Sequence, residues 1–477
     1  MPAAEHYVAS TSLPVSETDA FSYHDRPGAL QRLIPPWESA IVERSDGSLA
    51  VGSEVVLKTS LFGVPLRWLA RHTEYDPPQL FADTQVSGPF AQWDHRHSFS
   101  NGVANDAADN PSQTILQDHC VMKDAVTYRL PLGMIGKMMG GGLVKGKLES
   151  MFAYRHRVTR DDLQLLREYP FERPLNIAIS GSTGLVGSAL GHLVTLLGHS
   201  VTRLVRSPDP EDPDAIAPWS EGFDRESLQQ VDAVVHLAGK PIGDSRWTAQ
   251  SKKEMVSSRV VKTRELCDLL AGLENGPKTL ICASATGYFG DRGDEVLDES
   301  SAPGDGFLPD LCVGWERACD SARAAGIRVV NTRFGIVLSP RGGALSQMLL
   351  PAKFCGGRLG SGDQWWSWIG LDDCIGAIYH ALMRDDVSGP MNVVSPQPMT
   401  NKEFAATLGR VIRRPALMPA PAFALRMALG EMADALLLAS ARVTPDVLVD
   451  SGYRFRFTNL ESQLSYLLGR ESRESIE

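Results

Sequence analysis

The sequence predicts an α/β protein in which a doubly wound parallel sheet follows a separate α+β domain. From residue 174 onward, short apolar runs alternate with helical stretches, whereas residues 21–168 hold β-rich segments first and a long helix last. Two prolines, Pro170 and Pro174, mark the boundary between these textures. A chain of 477 residues is long enough to form two or three cores.

Composition and charge narrow the class of protein. Hydrophobic residues make up 43% of the chain and charged residues 22%, which is typical of a soluble globular protein. A net charge of −10 argues against a nucleic-acid or anionic-membrane partner, and neither a signal peptide nor a membrane span is expected. The seven cysteines are an odd number without a C-x-x-C pair, which favours a reducing compartment. We therefore predict a cytoplasmic protein.

The first domain is expected to begin after a flexible tail of about twenty polar and small residues. Partial alternation predicts strands at 53–59 and 115–121, and the polar run 101–114 predicts a hairpin loop between strands. A glycine-rich segment at 133–146 then precedes a helix at 147–160, in which Leu148, Met151, Phe152 and Arg155 share one face.

The second domain repeats short apolar strands, predicted at 175–180, 201–205, 233–237, 279–283 and 328–332. A helix is predicted from Leu185 to Leu197, where Gly198 ends it. Strands that alternate with helices imply a parallel sheet covered on both faces, joined by right-handed crossovers.

A glycine-rich turn lies directly between the first strand and the first helix of that domain. Gly181 allows a tight turn, Gly184 allows the backbone to approach a diphosphate, and Gly187 allows the helix to pack closely on the sheet. The free N–H groups and the dipole at the helix N-terminus favour an anion. The predicted dinucleotide-binding residues here are Gly181, Ser182, Thr183, Gly184, Leu185, Val186 and Gly187.

The end of the second strand indicates which dinucleotide is bound. NAD sites usually place a carboxylate there to hold the ribose hydroxyls, and the run 201–207 has none. Arg206, together with Arg203 and Ser207, could instead pair with a 2′-phosphate. We therefore predict NADP as the cofactor.

Residues 176–468 resemble the extended short-chain dehydrogenase/reductase superfamily, and within it the "epimerase family" proteins described as nucleoside-diphosphate-sugar epimerase-like. The resemblance rests on the G-x-x-G-x-x-G turn and on the motifs at 236–239, 284–290, 307–316, 366–369, 392–393 and 400–404. It implies a Rossmann-type fold, a small-molecule substrate and a small C-terminal domain at about 410–470. It also implies that Leu237, Ala238 and Gly239 run along the cofactor and that Ser284 or Thr286 faces the nicotinamide.

The chain departs from the superfamily at the catalytic pair. The usual chemistry needs a Tyr-x-x-x-Lys pair, in which the lysine lowers the pKa of the tyrosine base. Leu308 and Cys312 stand at those two positions. The sequence therefore leaves open whether this domain is an enzyme, and the predicted catalytic residues are Ser284, Thr286 and Tyr288. Further acid or base candidates are Asp310, Glu316 and Cys312.

Two features lie on the expected substrate side of the second domain. Trp365, Trp366 and Trp368 follow a run of glycines, where they could stack on a ring or pack a domain junction. Arg333 ends a predicted strand and is expected to meet a substrate phosphate or carboxylate.

Residues 21–168 resemble the START-like helix-grip superfamily, also called polyketide cyclase and lipid-transport-like. The pattern comprises 35–38, 88–99, Asp118, 130–133 and the helix around Tyr154. It implies a curved antiparallel sheet wrapped around a long helix and a hydrophobic ligand. His95 and His97 share one face of a strand, but without a third ligand in sequence reach no metal is expected.

Three functions remain open on the sequence alone. The first is an NADP(H)-dependent epimerase or oxidoreductase acting on an unidentified, hydrophobic small molecule. The second is a non-catalytic NADP(H)-binding sensor or scaffold, which the missing Tyr/Lys pair favours. The third is a lipid-binding carrier whose dinucleotide site reports redox state. The sequence does not determine the oligomeric state.

Overall fold

The computed structural model describes residues 4–61, 64–101, 119–131, 133–207, 212, 215–243 and 246–470, and of Leu61 and residues 133–140 the backbone alone. The chain divides into two compact units. The first holds Met1–Glu172 together with His192–Gly198 and Gly469–Glu477, and the second holds Arg173–Gly191 and His199–Leu468.

The first unit contains a seven-stranded antiparallel sheet with strand order β1-β7-β6-β5-β4-β3-β2. Its strands are β1 (Glu5–Leu13), β2 (Ile41–Ser45), β3 (Glu54–Leu61), β4 (Val64–Asp76), β5 (Leu80–Ser87), β6 (Gln92–Asn101) and β7 (Cys120–Arg129). Its helices are α1 (Glu17–Asp25), α2 (Ala29–Leu33) and the long α3 (Gly133–Glu168). The expected antiparallel sheet with a long C-terminal helix is confirmed.

Two predictions for this unit were wrong. The expected tail instead forms the edge strand β1, which pairs with β7 along its whole length. Alternate residues of β1, such as Tyr7 and Ala9, turn their side chains inward. The glycine-rich segment 133–146 is not a separate element but the start of α3, which continues for 36 residues. Of the predicted loop at 101–114, Asn101 belongs to β6 and the remainder lies outside the described residues, as does the first part of the strand predicted at 115–121.

The second unit is built on a six-stranded parallel sheet with strand order β18-β13-β11-β10-β8-β9. Its strands are β8 (Asn176–Ser180), β9 (Ser200–Leu204), β10 (Ala233–His236), β11 (Thr279–Ala285), β12 (Val296–Leu297), β13 (Arg328–Phe334), β14 (Ile336–Leu338), β15 (Gly356–Leu359), β16 (Trp365–Trp366), β17 (Trp368–Gly370), β18 (Gly389–Val393), β19 (Met399–Thr400), β20 (Met418–Ala420) and β21 (Arg442–Val443). The order reverses at β8, which is the mark of a doubly wound sheet. The predicted fold class is therefore confirmed.

Helices follow the strands in the order that the βα pattern predicts. They are α4 (Leu185–Leu196), α5 (Ala249–Val256), α6 (Lys262–Ala271), α7 (Phe307–Arg317), α8 (Asp320–Ala324), α9 (Gly343–Lys353), α10 (Leu371–Met383), α11 (Asn401–Ile412), α12 (Ala422–Leu429), α13 (Glu431–Ala433), α14 (Asp446–Asp450) and α15 (Leu460–Leu467). No helix in the described part of the chain has both the length and the apolar character to cross a bilayer.

The central strands are hydrophobic throughout because both faces of the sheet are covered. Ile177, Ala178 and Ile179 of β8 are fully buried, as are Val234 and Val235 of β10. Alternation is absent from these strands, and this is why a short continuous apolar run identifies them in the sequence.

Candidate functional site

Three turns of the second unit lie at one edge of the parallel sheet. The register pairs His236 at the end of β10 with Ser180 at the end of β8 and with Cys282 of β11. The turns that follow β8 and β10, and the end of β11 at Ser284 and Ala285, are therefore neighbours. This is the carboxyl edge beside the reversal of strand order, where doubly wound proteins bind ligands.

The glycine turn after β8 has a backbone that side chains would disrupt. Gly181 has φ +70°, and a Cβ there would lie 3.0 Å from the backbone nitrogen of Ala238. A Cβ on Gly187 would lie 2.2 Å from the carbonyl oxygen of Gly181, an impossible contact. Gly184 donates its N–H to that same carbonyl at 2.9 Å. The turn is thus closed on itself, and α4 begins directly after it.

The other residues predicted in this turn differ in exposure. Thr183 and Gly184 are exposed at its tip, Ser182 is half-buried, and Leu185 and Val186 are partly buried in the first turn of α4. An anion placed at the tip would therefore meet backbone N–H groups and the positive end of the helix dipole.

A buried chain of hydrogen bonds fixes the turn after β10 against β8. The backbone N–H groups of Leu237 and Ala238 donate to Ser180 Oγ at 3.1 and 3.2 Å. Ser180 Oγ lies 2.7 Å from His236 Nδ1, and His236 Nε2 lies 3.0 Å from Thr263 Oγ1. Burial lowers the pKa of His236 to about 4, so that the ring is neutral at neutral pH.

Arg259 lies beside the same turn and was missed by the sequence reasoning. It sits in a π-helical turn (Ser257–Val261) between α5 and α6, is 6% exposed, and its guanidinium carbon is 3.0 Å from where a Cβ on Gly239 would be. Its Nε and one terminal nitrogen have no hydrogen-bond partner in the described part of the chain, and burial lowers its pKa to about 10. The guanidinium carbon lies 5.0 Å from the centroid of the Trp315 ring, and no ion pair with Arg259 is found in the described part of the chain. Burying a cation without a counter-charge is costly, so this position is suited to an anion.

Nothing in the sequence singled out Arg259, because one arginine on a helix has no pattern. π-Helical turns occur often at functional sites, but their extra residue is visible only in the folded backbone.

The end of β9 is more complex than the sequence predicted. Arg203 forms an ion pair with Asp212, which places a carboxylate near the end of this strand. Arg206 and Ser207 are exposed just beyond β9. Of the three residues predicted to meet a 2′-phosphate, Arg206 and Ser207 are therefore the accessible ones, and Arg203 is already paired.

Ser284, the buried candidate at the end of β11, belongs to an ion-pair network. Its hydroxyl donates to Glu316 Oε1 at 2.8 Å. Arg333 binds both oxygens of Glu316, at 2.8 and 3.0 Å, and donates to the carbonyl of Glu299 at 3.1 Å. The guanidinium also stacks on the Tyr288 ring at 3.6 Å. Arg333, expected to meet a substrate anion, is thus turned inward toward Glu316.

The positions of the missing Tyr/Lys pair are filled by apolar packing. Leu308 and Cys312 lie one turn apart on α7 and are both buried. The Leu308 side chain packs on Gly287, where a Cβ would lie 2.6 Å from it, and burial raises the pKa of Cys312 to about 12. Neither side chain is suited to proton transfer, whereas Thr286 and Tyr288 form the short turn beside them.

The remaining candidates, Asp310 and the three tryptophans, lie in positions that do not suit proton transfer. Asp310 is exposed on α7. Trp366 and Trp368 are buried, and the Trp368 indole donates to the carbonyl of Gln397 at 3.0 Å. The Trp365 indole donates to Asp294 at 2.8 Å. The tryptophans therefore pack within the second unit.

Comparison with known proteins matches this arrangement to established families. Residues 177–394 match the NAD-dependent epimerase/dehydratase family, 13–152 the polyketide cyclase/dehydrase and lipid transport family, and 420–467 a domain of unknown function. An epimerase family protein of Mycobacterium bovis is 42% identical over 296 residues, which is 62% of this chain and 98% of that protein. This chain belongs to the NAD-dependent epimerase/dehydratase family. An epimerase family protein of Bacillus subtilis is 40% identical over 300 residues, with 98% of that protein covered.

Two solved structures extend the family likeness. A nucleoside-diphosphate sugar epimerase from Corynebacterium glutamicum is 31% identical, with a TM-score of 0.78 over 98% of this chain and 93% of that one. The human epimerase family protein SDR39U1, solved with NADPH, is 32% identical, with a TM-score of 0.56 over 62% of this chain and 99% of that one. The resemblances of both domains to their families are therefore confirmed.

Proposed function

We propose that this epimerase family chain binds NADP(H) and uses it in an oxidoreductase or epimerase reaction on an unidentified, hydrophobic small molecule. The observation that carries the proposal is the closed glycine turn of Gly181, Gly184 and Gly187 at the carboxyl edge of the sheet. The free cysteines of the chain favour a cytoplasmic setting.

The residues present fit such a cofactor. The diphosphate would lie against the backbone of 181–187, and the ribose would lie along Leu237, Ala238 and Gly239. The unpaired guanidinium of Arg259 beside Gly239 supplies the positive charge that a dinucleotide phosphate or an anionic substrate group would neutralise. The exposed Arg206 and the NADPH bound by the human relative support NADP rather than NAD.

Bound NADP(H) would supply or accept a hydride at its nicotinamide ring. The side chains that would face that ring are Ser284, Thr286 and Tyr288. Ser284 would orient a substrate oxygen, Glu316 would hold the Ser284 proton, and Arg333 keeps the Glu316 carboxylate in place. This network would then do the work that a tyrosine and a lysine do elsewhere in the superfamily.

A second candidate function is a non-catalytic NADP(H)-binding sensor, which the buried Leu308 and Cys312 favour. Turnover separates the two. Full-length protein that retains NADP(H) through purification and, with a fractionated metabolite extract, either oxidises NADPH or converts a metabolite into its epimer is an enzyme. Retention of NADP(H) without turnover in any fraction would identify the sensor.

The choice of NADP is tested by reversing one charge. Arg206→Glu should weaken NADPH binding by about 10- to 100-fold, because a hydrogen bond to a charged group contributes about 1.5–3 kcal/mol. NADH binding should be unchanged in the same calorimetric titrations. Arg264→Glu, an equal charge reversal at an exposed position of α6, is the control. A wild type that binds NADH as tightly as NADPH would contradict the proposal.

A further inference from the structure

The first unit gathers imidazole and carboxylate side chains on the face of the sheet that meets α3. Asp83 of β5 stands directly opposite His95 of β6, and Asp124 of β7 stands directly opposite His97 of β6. His156 reaches the same group from α3. The side chains of His95, His97 and Asp83 are only 5, 12 and 18% exposed. A polar cluster this buried needs a physical account.

Asp124 orients the imidazoles. Its two oxygens lie 3.0 Å from His95 Nε2 and 2.6 Å from His156 Nε2. Because an ionised carboxylate only accepts hydrogen bonds, His95 must carry a proton on Nε2, and a neutral His95 ring then has a lone pair on Nδ1. Metal-binding histidines are oriented in this way, with one ring nitrogen donating to a carboxylate and the other facing the ion.

The free side of His95 faces a second carboxylate across a gap. His95 Nδ1 lies 3.6 Å from Asp83 Oδ2, which is too long for a hydrogen bond. A metal ion about 2.1 Å from each ligand atom sets those atoms about 3.0–3.5 Å apart. His97 completes the group, since one potential ligand atom from each of Asp83, His95 and His97 lies within 4.8 Å of the others.

The surroundings hold these rings in place. Phe81 stacks on His97 with 4.1 Å between ring centroids, and Phe152 packs its edge against His95 at 5.3 Å. The Nδ1 of His97 approaches Asp124 to 2.7 Å but in a direction that makes no hydrogen bond, so this ring is not fixed by Asp124 as His95 is.

We propose that Asp83, His95 and His97 bind one divalent transition-metal ion, with Asp124 as the carboxylate that orients His95. Two imidazoles and one carboxylate suit zinc and ferrous iron, and such a set leaves coordination positions open for water or an oxygen-bearing ligand. The site goes beyond the proposed dinucleotide function and lies wholly within the first unit. The sequence shows the two histidines as a pair, but it does not show which carboxylates lie beside them. The strand register brings Asp83 and Asp124 to the histidines.

Zinc ion is the probe for the site. Chelator-treated full-length protein, titrated calorimetrically with Zn²⁺, should bind one ion per chain. Asp124→Asn should weaken this binding by about 10- to 100-fold, the usual cost of losing a carboxylate behind a histidine ligand, and Asp83→Asn should weaken it more. His6→Asn is the matched control, because His6 is an exposed histidine of β1 in the same sheet. NADPH binding should be unaffected by all three substitutions.

Equal Zn²⁺ affinity in wild type and Asp83→Asn, or no stoichiometric binding by wild type, would overturn the proposal. Circular dichroism identifies a variant that fails to fold. X-ray absorption of the zinc-loaded wild type needs no variant: scattering from two imidazoles with oxygen supports the site. Sulfur in the first shell would assign the ion to the cysteines and would overturn it.

Discussion

Two glycines on the same turn and helix differ sharply in what a methyl group would meet. At Gly187 a Cβ would lie 2.2 Å from the Gly181 carbonyl oxygen, whereas at Gly191 nothing lies within 4 Å. Gly187→Ala should therefore distort the turn and weaken NADPH binding by about 10- to 100-fold, as hydrogen bonds to phosphate are lost. Gly191→Ala should keep the affinity and raise the free energy of unfolding by up to about 1 kcal/mol. Calorimetric titration and denaturant unfolding measure both, and equal NADPH affinities in the two variants would contradict the placement of the diphosphate.

Arg259 offers a second single-residue test, in which stability and binding move in opposite directions. Its buried, unpaired guanidinium is a cost to the cofactor-free fold. Arg259→Met should therefore raise the free energy of unfolding of cofactor-free protein and weaken NADPH binding. Arg264→Met, at an exposed position, should change neither. A variant less stable than wild type would show that the contact of the guanidinium with the Trp315 ring outweighs the cost of burying the charge.

Arg333 is a residue whose position, but not whose contacts, could be predicted from the sequence. Its place at the end of a strand was predicted, and β13 does extend through it. Its partner Glu316 lies on α7, and the two meet only because α7 packs against β11, the strand that pairs with β13. A residue pattern shows the position of a side chain along an element but not the side chain on a neighbouring element that it meets.

At the scale of elements, helices and strands with a strong local hydrophobic pattern were predicted correctly, and those with a weak pattern were missed. The strands predicted at 175–180, 233–237 and 279–283 were found within two residues of their expected ends, because buried parallel strands are short, continuous apolar runs. β1 was missed because its alternation is weak in the sequence: the inward-facing Glu5 and Thr11 are polar, and the outward-facing Val8 is apolar. The start of α3 was missed because six glycines in the fourteen residues 133–146 lower helix propensity, which the packing of a long helix overrides.

The buried His236, which ends β10 and pairs with Ser180 of β8, predicts an acid-sensitive element. Burial lowers the pKa of His236 from 6.5 to about 4. Between these two pH values the imidazole is protonated in the unfolded chain and neutral in the folded chain. This contribution to stability is present above pH 6.5 and is lost as the pH falls toward 4, on the order of 3 kcal/mol in all. Asp373, whose pKa burial raises to about 6, acts in the opposite direction over pH 4–6. The measurement is therefore the difference in unfolding free energy between wild type and His236→Gln across this range, where Asp373 cancels. A difference that does not change with pH would exclude the role of His236.

At the scale of the whole molecule, the order of elements predicted both architectures, and the side chains that meet across elements were the part that sequence left open. The glycine turn, with its strand before it and helix after it, is local and was recognised in full. The ion pair of Arg203 with Asp212, the Ser284–Glu316 contact and the cluster around Asp124 each join separate segments. Register and packing create them, and one sequence without its fold does not contain that information.

The change from the α+β pattern to the alternating β/α pattern also predicts that the second domain can be expressed without the first. The family relative from Mycobacterium bovis matches over 98% of its own length while covering only 62% of this chain, which is the share that residues 174–470 make up. We expect residues 174–470, expressed alone, to unfold in one cooperative transition and to bind NADPH with the affinity of the full chain. The same fragment carrying Gly187→Ala is the control, and it should fold but bind weakly. Aggregation of the unmodified fragment, or loss of its NADPH binding in calorimetric titration, would show that the dinucleotide site depends on the first unit.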